Sequence, residues 1–228
     1  VNGNITAAAT TTQTQANNIT MTKVPTIEGV NNTKYNEPDN RDSMLTEATN
    51  ALAEMLKAFV TFAKANNYPT HDKDGKTYIG ISSLFRDQKK QTALYEENKK
   101  KNGGVPDGYV AAPGKSNHGW GIAVDLLMVK DNNEYFANSK SDKDLGFDTN
   151  QNKTFKWLLD NSYKYGFISP FQLRAGGVEE YWHFEYHGTS AKCLFQLHPD
   201  VKGYTPSITA NYEAIVINPL QSDGKRAV

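Results

Sequence analysis

An apolar stretch at residues 122–128 is interrupted by one charge, Asp125, and this feature constrains the fold most strongly. The stretch has the composition of a buried strand. A carboxylate buried there without a partner would cost several kcal/mol, so a cation is expected to face it. That cation could be a lysine or arginine, or a metal ion. Alternatively, Asp125 could occupy a strand position that faces outward.

A histidine nearby makes the metal a specific possibility. His118 lies seven residues before Asp125, and Gly119 and Gly121 between them permit a tight turn of the backbone. A loop histidine and a strand aspartate could therefore converge. An imidazole nitrogen and a carboxylate oxygen are common partners in zinc sites.

A second cluster supplies a further ligand and a base. Glu180 lies three residues before His183, at the start of an aromatic stretch, 181–186, that has the composition of a strand. A catalytic zinc uses three protein ligands and leaves one position for water, and His118, Asp125 and His183 could be those ligands. Glu180 could accept the proton of the water. In an ideal strand the odd spacing would separate Glu180 from His183, so Glu180 must lie in the preceding loop or beside a bulge.

The other histidines are weaker candidates. His183 and His187 are four residues apart, but the order H-F-E-Y-H lacks the glutamate that directly follows the first histidine in the helical zinc motif. The alternating aromatic residues also argue against a helix, which leaves His187 as a minor ligand candidate. His71 and His198 lie in turn-like surroundings, which favours satisfied or surface histidines.

Arg86 follows the strand-like residues 81–85 and precedes a predicted helix that contains Gln91. A guanidinium at this place could stabilise the oxyanion that forms when water attacks an amide carbonyl. Taken alone, Arg86 is more simply interpreted as half of a surface salt bridge.

The remaining pattern predicts an α+β fold. Apolar residues at three- and four-residue spacing indicate a helix over roughly 43–65, with Ser43 as its N-cap. A second helix is predicted near 87–101, and Thr154 is predicted to cap a third. The polar residues 130–153 are expected to form a long surface excursion.

The amino-acid composition divides the chain into three predicted regions. Residues 1–42 are rich in threonine and asparagine, and they hold too little apolar surface to order themselves. They are predicted to form a linker, or an extended arm that orders against a partner. The domain itself is predicted over 43–190, followed by a C-terminal extension, 191–228, with a strand-like piece at 214–217.

The charge balance excludes some partners. The chain has 25 basic and 25 acidic residues, so its zero net charge argues against nucleic acid or an anionic membrane as the main partner. No apolar stretch approaches the length of a membrane span. The single cysteine, Cys193, cannot form an internal disulfide, and burial as a small apolar residue is favoured.

Four sequence elements resemble one known family. Residues 116–125, S-N-H-G-W-G-I-A-V-D, resemble the S-x-H-x-x-G-x-A-x-D motif of the zinc D-Ala-D-Ala carboxypeptidases, the VanY-like and L-alanyl-D-glutamate peptidases of the LAS group. Residues 180–184, E-Y-W-H-F, are similar to E-P-W-H-F in that family, with tyrosine in place of proline. Residues 155–167 resemble its W-L-x-x-N-A-x-x-Y-G-F helix. Residues 83–86 with the downstream Gln91 are similar to its S-G-Y-R-S element, although Leu-Phe replaces the glycine-aromatic pair.

The resemblance implies an α+β fold with a small antiparallel sheet flanked by helices, one catalytic Zn²⁺, and hydrolysis of peptidoglycan stem peptides. It also implies roles for eight residues. The implied zinc ligands are His118, Asp125 and His183, the general base is Glu180, the transition-state stabiliser is Arg86, and the residues near the substrate are Ser116, Gln91 and Trp182.

The predicted function is that of a zinc peptidase that cuts stem peptides, either as a D-Ala-D-Ala carboxypeptidase or as an L-Ala-D-Glu endopeptidase. It is expected to act outside the cell, in the periplasm or from a virion. A phage lysin or a tail-associated hydrolase fits this prediction, with the arm and the tail contacting other virion proteins. The alternative is a structural or binding module of a phage particle that retains the peptidase fold.

Overall fold

The structure is a computed structural model. It describes residues 20–31, 42–72, 75–131, 133–137, 143–169 and 180–188. Cys193, His198 and the predicted strand at 214–217 lie outside these residues. Within the described ranges, no helix combines the length and the apolar character needed to cross a bilayer.

Eight short strands lie within the described residues. In chain order they are β1 (Met21–Lys23), β2 (Val30–Asn31), β3 (Ser43–Leu45), β4 (Ile79–Ser83), β5 (Ala123–Asp131), β6 (Glu134–Tyr135), β7 (Phe167–Ile168) and β8 (His183–Tyr186). Six of them form a sheet in the order β2-β4-β5-β8-β7, with β6 also paired to β5. All pairs are antiparallel except the parallel pair of β2 and β4. β1 and β3 form a second, two-stranded sheet.

In the same part of the chain, four α-helices accompany the sheets. They are α1 (Thr46–Ala65), α2 (Gln88–Lys101), α3 (Lys143–Phe147) and α4 (Lys153–Asn161). Short 3₁₀ helices form at Asn117–Trp120 and Ser162–Tyr165. One face of α1 is buried, because its apolar residues repeat with the helical period and pack into the core between the helices and the sheet. The predicted α+β class with a small sheet is confirmed.

The first helix begins later than its sequence pattern predicts. Ser43, predicted to be the N-cap, lies instead in β3, and α1 starts at Thr46 with Leu45 in the cap position. The reason is a long-range interaction, the pairing of β3 with β1, which provides hydrogen bonds for Ser43 and Leu45 that a helix start would not.

The folded structure begins before residue 43, where the predicted domain starts. β1 and β2 both lie in the segment predicted to be an arm, and Val24 and Ile27 between them are buried in the core. Gly29 has a φ of 84°, and a Cβ there would lie 2.6 Å from Val60 Cγ1 of α1. Only glycine allows this close approach without strain, so residues 20–31 pack as part of the domain.

The predicted polar excursion at 130–153 also contains regular structure, because β5 extends to Asp131 and is followed by β6 and α3. Asn152, not the predicted Thr154, caps α4. Its Oδ1 accepts the Phe155 N–H at 2.9 Å and its Nδ2 donates to the Gly146 carbonyl oxygen at 3.0 Å. Thr154 is buried inside α4.

The packing of residues 20–31 is testable by substitution. Ile27 is 6% exposed, so Ile27→Ala should lower the free energy of unfolding by about 2–5 kcal/mol through lost burial and the cavity left behind. The neighbouring Thr26 is exposed, and Thr26→Ala should change stability by less than about 0.5 kcal/mol. Urea denaturation of the two variants measures the difference, and equal stabilities would show that this segment does not pack on the domain.

Candidate metal centre

The pairing of β5 with β8 brings Asp125 and His183 face to face. The two residues are direct cross-strand partners, and the His183 Nδ1 lies 2.7 Å from Asp125 Oδ1. The charge in the middle of the apolar stretch therefore has an imidazole opposite it. This position does not face outward, since Asp125 is largely shielded from solvent.

His118 reaches the same carboxylate from the 3₁₀ helix Asn117–Trp120. This helix ends at Gly121 in the left-handed conformation, with a φ of 68°, so the chain turns directly from the helix into β5. The His118 Nδ1 lies 2.7 Å from the Leu84 carbonyl oxygen, and because a carbonyl only accepts, Nδ1 carries the proton. The unprotonated Nε2 then faces Asp125 Oδ2 at 3.3 Å.

The three side chains form a group that fits a metal ion. One ligand atom from each of His118, Asp125 and His183 lies within 4.8 Å of the others. A tetrahedral zinc with bonds of 2.0–2.1 Å holds neighbouring ligand atoms about 3.4 Å apart, close to the 3.3 Å between His118 and Asp125. Two imidazole nitrogens and one carboxylate oxygen also match the ligand chemistry of catalytic zinc. The geometry therefore fits Zn²⁺.

The electrostatics of the group suit metal binding. Burial lowers the pKa of His118, so this ring is neutral near pH 7. Burial acts to raise the pKa of Asp125, but the neighbouring His118 and His183 outweigh it and hold the pKa well below its usual range. Burial acts to lower the pKa of His183, but its hydrogen bonds to Asp125 and Glu185 raise it. A metal that binds His183 Nδ1 therefore replaces a proton.

Arg86 lies beside the carboxylate and is held by two hydrogen bonds. Its Nη1 donates to Gln91 Oε1 at 3.0 Å, its Nη2 donates to Ser83 Oγ at 3.2 Å, and Nη2 lies 3.9 Å from Asp125 Oδ2. A bulge in β4 after Ile81 sets Ser83 opposite Asp125. With 18% of its side chain exposed, Arg86 is not a surface salt bridge.

Three residues predicted to lie near the substrate are largely buried. Gln91 is 2% exposed, and its Nε2 donates to the Ala111 carbonyl oxygen at 2.6 Å while its Oε1 accepts from Arg86. Trp182 is 6% exposed and packs edge-on against Tyr181. Ser116 is buried immediately before the 3₁₀ helix that carries His118. Gln91 thus holds Arg86 in place, and the roles of all three residues in substrate binding stay predictions.

Glu180 lies in the loop before β8, one of the two positions that its spacing from His183 allows. The residues 181–182 form a turn, and the Glu180 carbonyl oxygen accepts the N–H of His183 at 3.3 Å. The strand thus begins at His183, two residues later than the aromatic composition predicts. The strict alternation of a strand therefore does not separate Glu180 from His183.

Tyr181, which replaces the proline of the resembled motif, anchors this loop. Its side chain is fully buried, and its hydroxyl donates to the Ala137 carbonyl oxygen at 2.6 Å. Its ring packs edge-on against three phenylalanines of the core, Phe136, Phe147 and Phe155. The tyrosine thus holds this loop to the core through ring packing and one hydrogen bond.

Glu185 and Asn117 also lie at this site, although neither is among the residues predicted from sequence. Glu185 is 3% exposed and accepts hydrogen bonds from His183 Nε2 at 3.1 Å, from His187 Nε2 at 3.1 Å and from Asn117 Nδ2. His187 therefore contacts Glu185, and it is not part of the His118–Asp125–His183 group. Glu185 could have been identified from the two-residue period of a strand, which places residues 183, 185 and 187 on one face.

His71 lies apart from this group. Its ring stacks on Tyr135 with 3.8 Å between ring centroids and an interplanar angle of 8°. Its backbone N–H donates to the Thr77 carbonyl oxygen at 2.8 Å. This agrees with the prediction of a satisfied histidine.

Two curated proteins are similar to this chain. YodJ of Bacillus subtilis (strain 168) is 28% identical over 153 residues, which are 63% of this chain and 48% of YodJ. A D-alanyl-D-alanine carboxypeptidase of Enterococcus faecalis (strain ATCC 700802 / V583) is 34% identical over 87 residues, 36% of this chain and 26% of that protein. The chain thus spans about half or less of the length of these relatives.

A solved structure of the LdcB LD-carboxypeptidase has the same fold. It matches with a TM-score of 0.55 and 24% identity, over 77% of this chain and 72% of that one. A family model described as VanY, D-alanyl-D-alanine carboxypeptidase, matches residues 44–189, which include both segments of the His–Asp–His group. This match confirms the predicted resemblance and the predicted class, a hydrolase. Since it covers more than half of the 228 residues, the chain belongs to the VanY family of D-alanyl-D-alanine carboxypeptidases.

Proposed function

We propose that this chain is a zinc-dependent peptidase that removes the C-terminal D-alanine from peptidoglycan stem peptides. The observation that carries the proposal is the buried His118–Asp125–His183 group with Arg86 beside its carboxylate, within a chain of the VanY family. The name of the Enterococcus relative specifies the same bond type. Because peptidoglycan lies outside the cytoplasmic membrane, the proposed place of action is the cell exterior or the periplasm.

The three ligand residues would hold Zn²⁺ through defined atoms. These atoms are His118 Nε2, an oxygen of Asp125 and His183 Nδ1, since the other ring nitrogens face Leu84 and Glu185. Bound zinc supplies a Lewis acid for the scissile carbonyl and lowers the pKa of a water molecule toward about 7.

Glu180 is proposed as the general base and acid. Its carboxylate takes a proton as the water oxygen bonds to the scissile carbonyl carbon, and it returns that proton to the leaving amine as the C–N bond breaks. Two features support this role: the position of Glu180 in the loop directly before β8, and the anchoring of that loop by the buried Tyr181.

Arg86 is proposed to stabilise the oxyanion. The hydrogen bonds to Gln91 and Ser83 hold its guanidinium in one orientation before substrate binds, so little reorganisation is needed during the reaction. Its charge also lies near Asp125, which helps to offset the cost of burying that carboxylate.

The cleaved bond and the metal requirement can be determined together. Purified peptidoglycan incubated with the protein should release free D-alanine, detected by mass spectrometry. A chelator should stop the release and added Zn²⁺ should restore it, because the three ligands are needed to hold the metal. A new D-glutamate amino terminus would instead identify the endopeptidase of the sequence prediction. A structural module would give no chelator-sensitive product.

Substitution of the proposed base separates chemistry from metal binding. Glu180→Ala and Glu180→Gln should abolish hydrolysis, while the zinc content stays near one per chain, because Glu180 is not a ligand. Glu54→Gln, on the exposed surface of α1, provides the control and should leave both values unchanged. Activity in either Glu180 variant, or loss of its zinc, would show that the role assigned to Glu180 is wrong.

Arg86→Lys keeps the charge but cannot make both hydrogen bonds of the guanidinium. It should lower kcat by about 10²–10³-fold, the effect of losing one oriented oxyanion donor, with unchanged zinc content. Lys57→Arg on the exposed face of α1 makes the reverse exchange as a control. Steady-state kinetics on a synthetic stem peptide measure the change, and an undiminished kcat would remove Arg86 from the mechanism.

The association with a phage particle stays a prediction, supported only by the composition of the chain beyond the family match. Mass spectrometry of purified particles tests it directly. Finding the chain there would support a virion-associated hydrolase, and its absence from particles would favour a free enzyme.

A further inference from the structure

A buried carboxylate next to the metal centre, Glu185, accepts hydrogen bonds from three donors among the residues that the structure describes. Glu185 lies on the same face of β8 as His183, because side chains of a strand alternate with a period of two, and His187 directly after β8 continues that face. Its Oε1 accepts from His183 Nε2 at 3.1 Å and from Asn117 Nδ2, and its Oε2 accepts from His187 Nε2 at 3.1 Å. The mechanism proposed above does not use this residue.

We propose that Glu185 is a positioning residue for the metal centre, which holds His183 in the tautomer that presents Nδ1 to the metal. The inference rests on the proposed zinc site at His118, Asp125 and His183. A neutral imidazole has one N–H and one acceptor nitrogen. When Nε2–H donates to Glu185, the lone pair of Nδ1 is left for the metal.

The two ligand histidines are set in opposite tautomers. The Leu84 carbonyl oxygen fixes the proton of His118 on Nδ1, which leaves Nε2 for the metal. Glu185 fixes the proton of His183 on Nε2. A carboxylate is a stronger acceptor than a carbonyl, so His183 becomes the more basic ligand of the two.

The same carboxylate joins the two segments that carry the ligands. Asn117 precedes His118 in the 3₁₀ helix, and its amide donates to the oxygen of Glu185 that also accepts from His183. His187 secures the other oxygen, and its own backbone N–H donates to the Gly166 carbonyl oxygen at 2.7 Å. Glu185 is thus held from two sides, and it sets the distance between the helix and β8.

Zinc affinity provides the test. Competition with a chromophoric chelator should show that Glu185→Ala binds Zn²⁺ about 10–100-fold more weakly than the original chain, as expected for loss of an outer carboxylate. Glu185→Gln should recover part of this loss, because its amide oxygen can still accept from His183. His187→Ala should weaken binding in the same direction, whereas His71→Ala, the same exchange away from the centre, should not change it.

A second measurement reports the tautomer itself. In the zinc-loaded chain, ¹⁵N NMR of the imidazole groups should show His183 protonated at Nε2, and Glu185→Ala should alter the signal of that nitrogen. If Glu185→Ala does not fold, as thermal unfolding would reveal, Glu185→Gln and His187→Ala are compared with His71→Ala instead.

The outcomes distinguish failure of the Glu185 role from failure of the zinc site itself. If the original chain binds one zinc and the Glu185 and His187 variants bind it equally tightly, Glu185 is only a satisfied buried carboxylate and the inference is overturned. If the original chain itself binds no zinc, the proposed metal site is wrong, whatever the variants show.

Discussion

The site depends on one buried charge, the carboxylate of Asp125 in the middle of β5. Burial of an unpaired carboxylate is costly, and here His183, His118 and Arg86 surround it from three separate parts of the chain. Each of these neighbours is held in turn by its own hydrogen bond: His183 by Glu185, His118 by the Leu84 carbonyl oxygen, and Arg86 by Gln91. The residues around the site are therefore ordered by the need to compensate Asp125, together with the second buried carboxylate, Glu185.

The convergence of His118 with Asp125 could be predicted from sequence because local rules apply there, whereas the place of His183 beside them depends on the pairing of β5 with β8. A glycine-bounded turn lets a loop residue meet the following strand, and a three-residue offset forces Glu180 out of β8. Glu185 was harder to identify, since a buried glutamate between aromatic residues has the same sequence pattern as an exposed one. Its importance depends on the pairing of β5 with β8, which no local pattern encodes.

Long-range pairing also explains the differences in the fold. The segment 20–31 has few apolar residues, and its composition resembles that of an unstructured arm, yet β1 and β2 find partners at residues 43–45 and 79–80. The cap of α4 differs for a local reason, because Asn152 accepts the Phe155 N–H and also donates to the Gly146 carbonyl oxygen six residues earlier. Propensity describes helix ends and turns well, but it does not describe strands that depend on a distant neighbour.

The two-stranded sheet of β1 and β3 contacts the segments that carry His118 and Arg86, so it limits where the chain can be shortened. The Leu45 N–H of β3 donates to the Gly121 carbonyl oxygen at 2.9 Å, and a Cβ on Gly121 would lie 2.9 Å from Met21 Sδ of β1. The Ser43 carbonyl oxygen accepts the Phe85 N–H, next to Arg86. β1 and β3 thus contact Gly121, which follows the 3₁₀ helix with His118, and Phe85, which precedes Arg86. A chain trimmed to start at residue 44, where the family match begins, would lose β1 and Ser43, and with them the contacts that support Gly121 and Phe85.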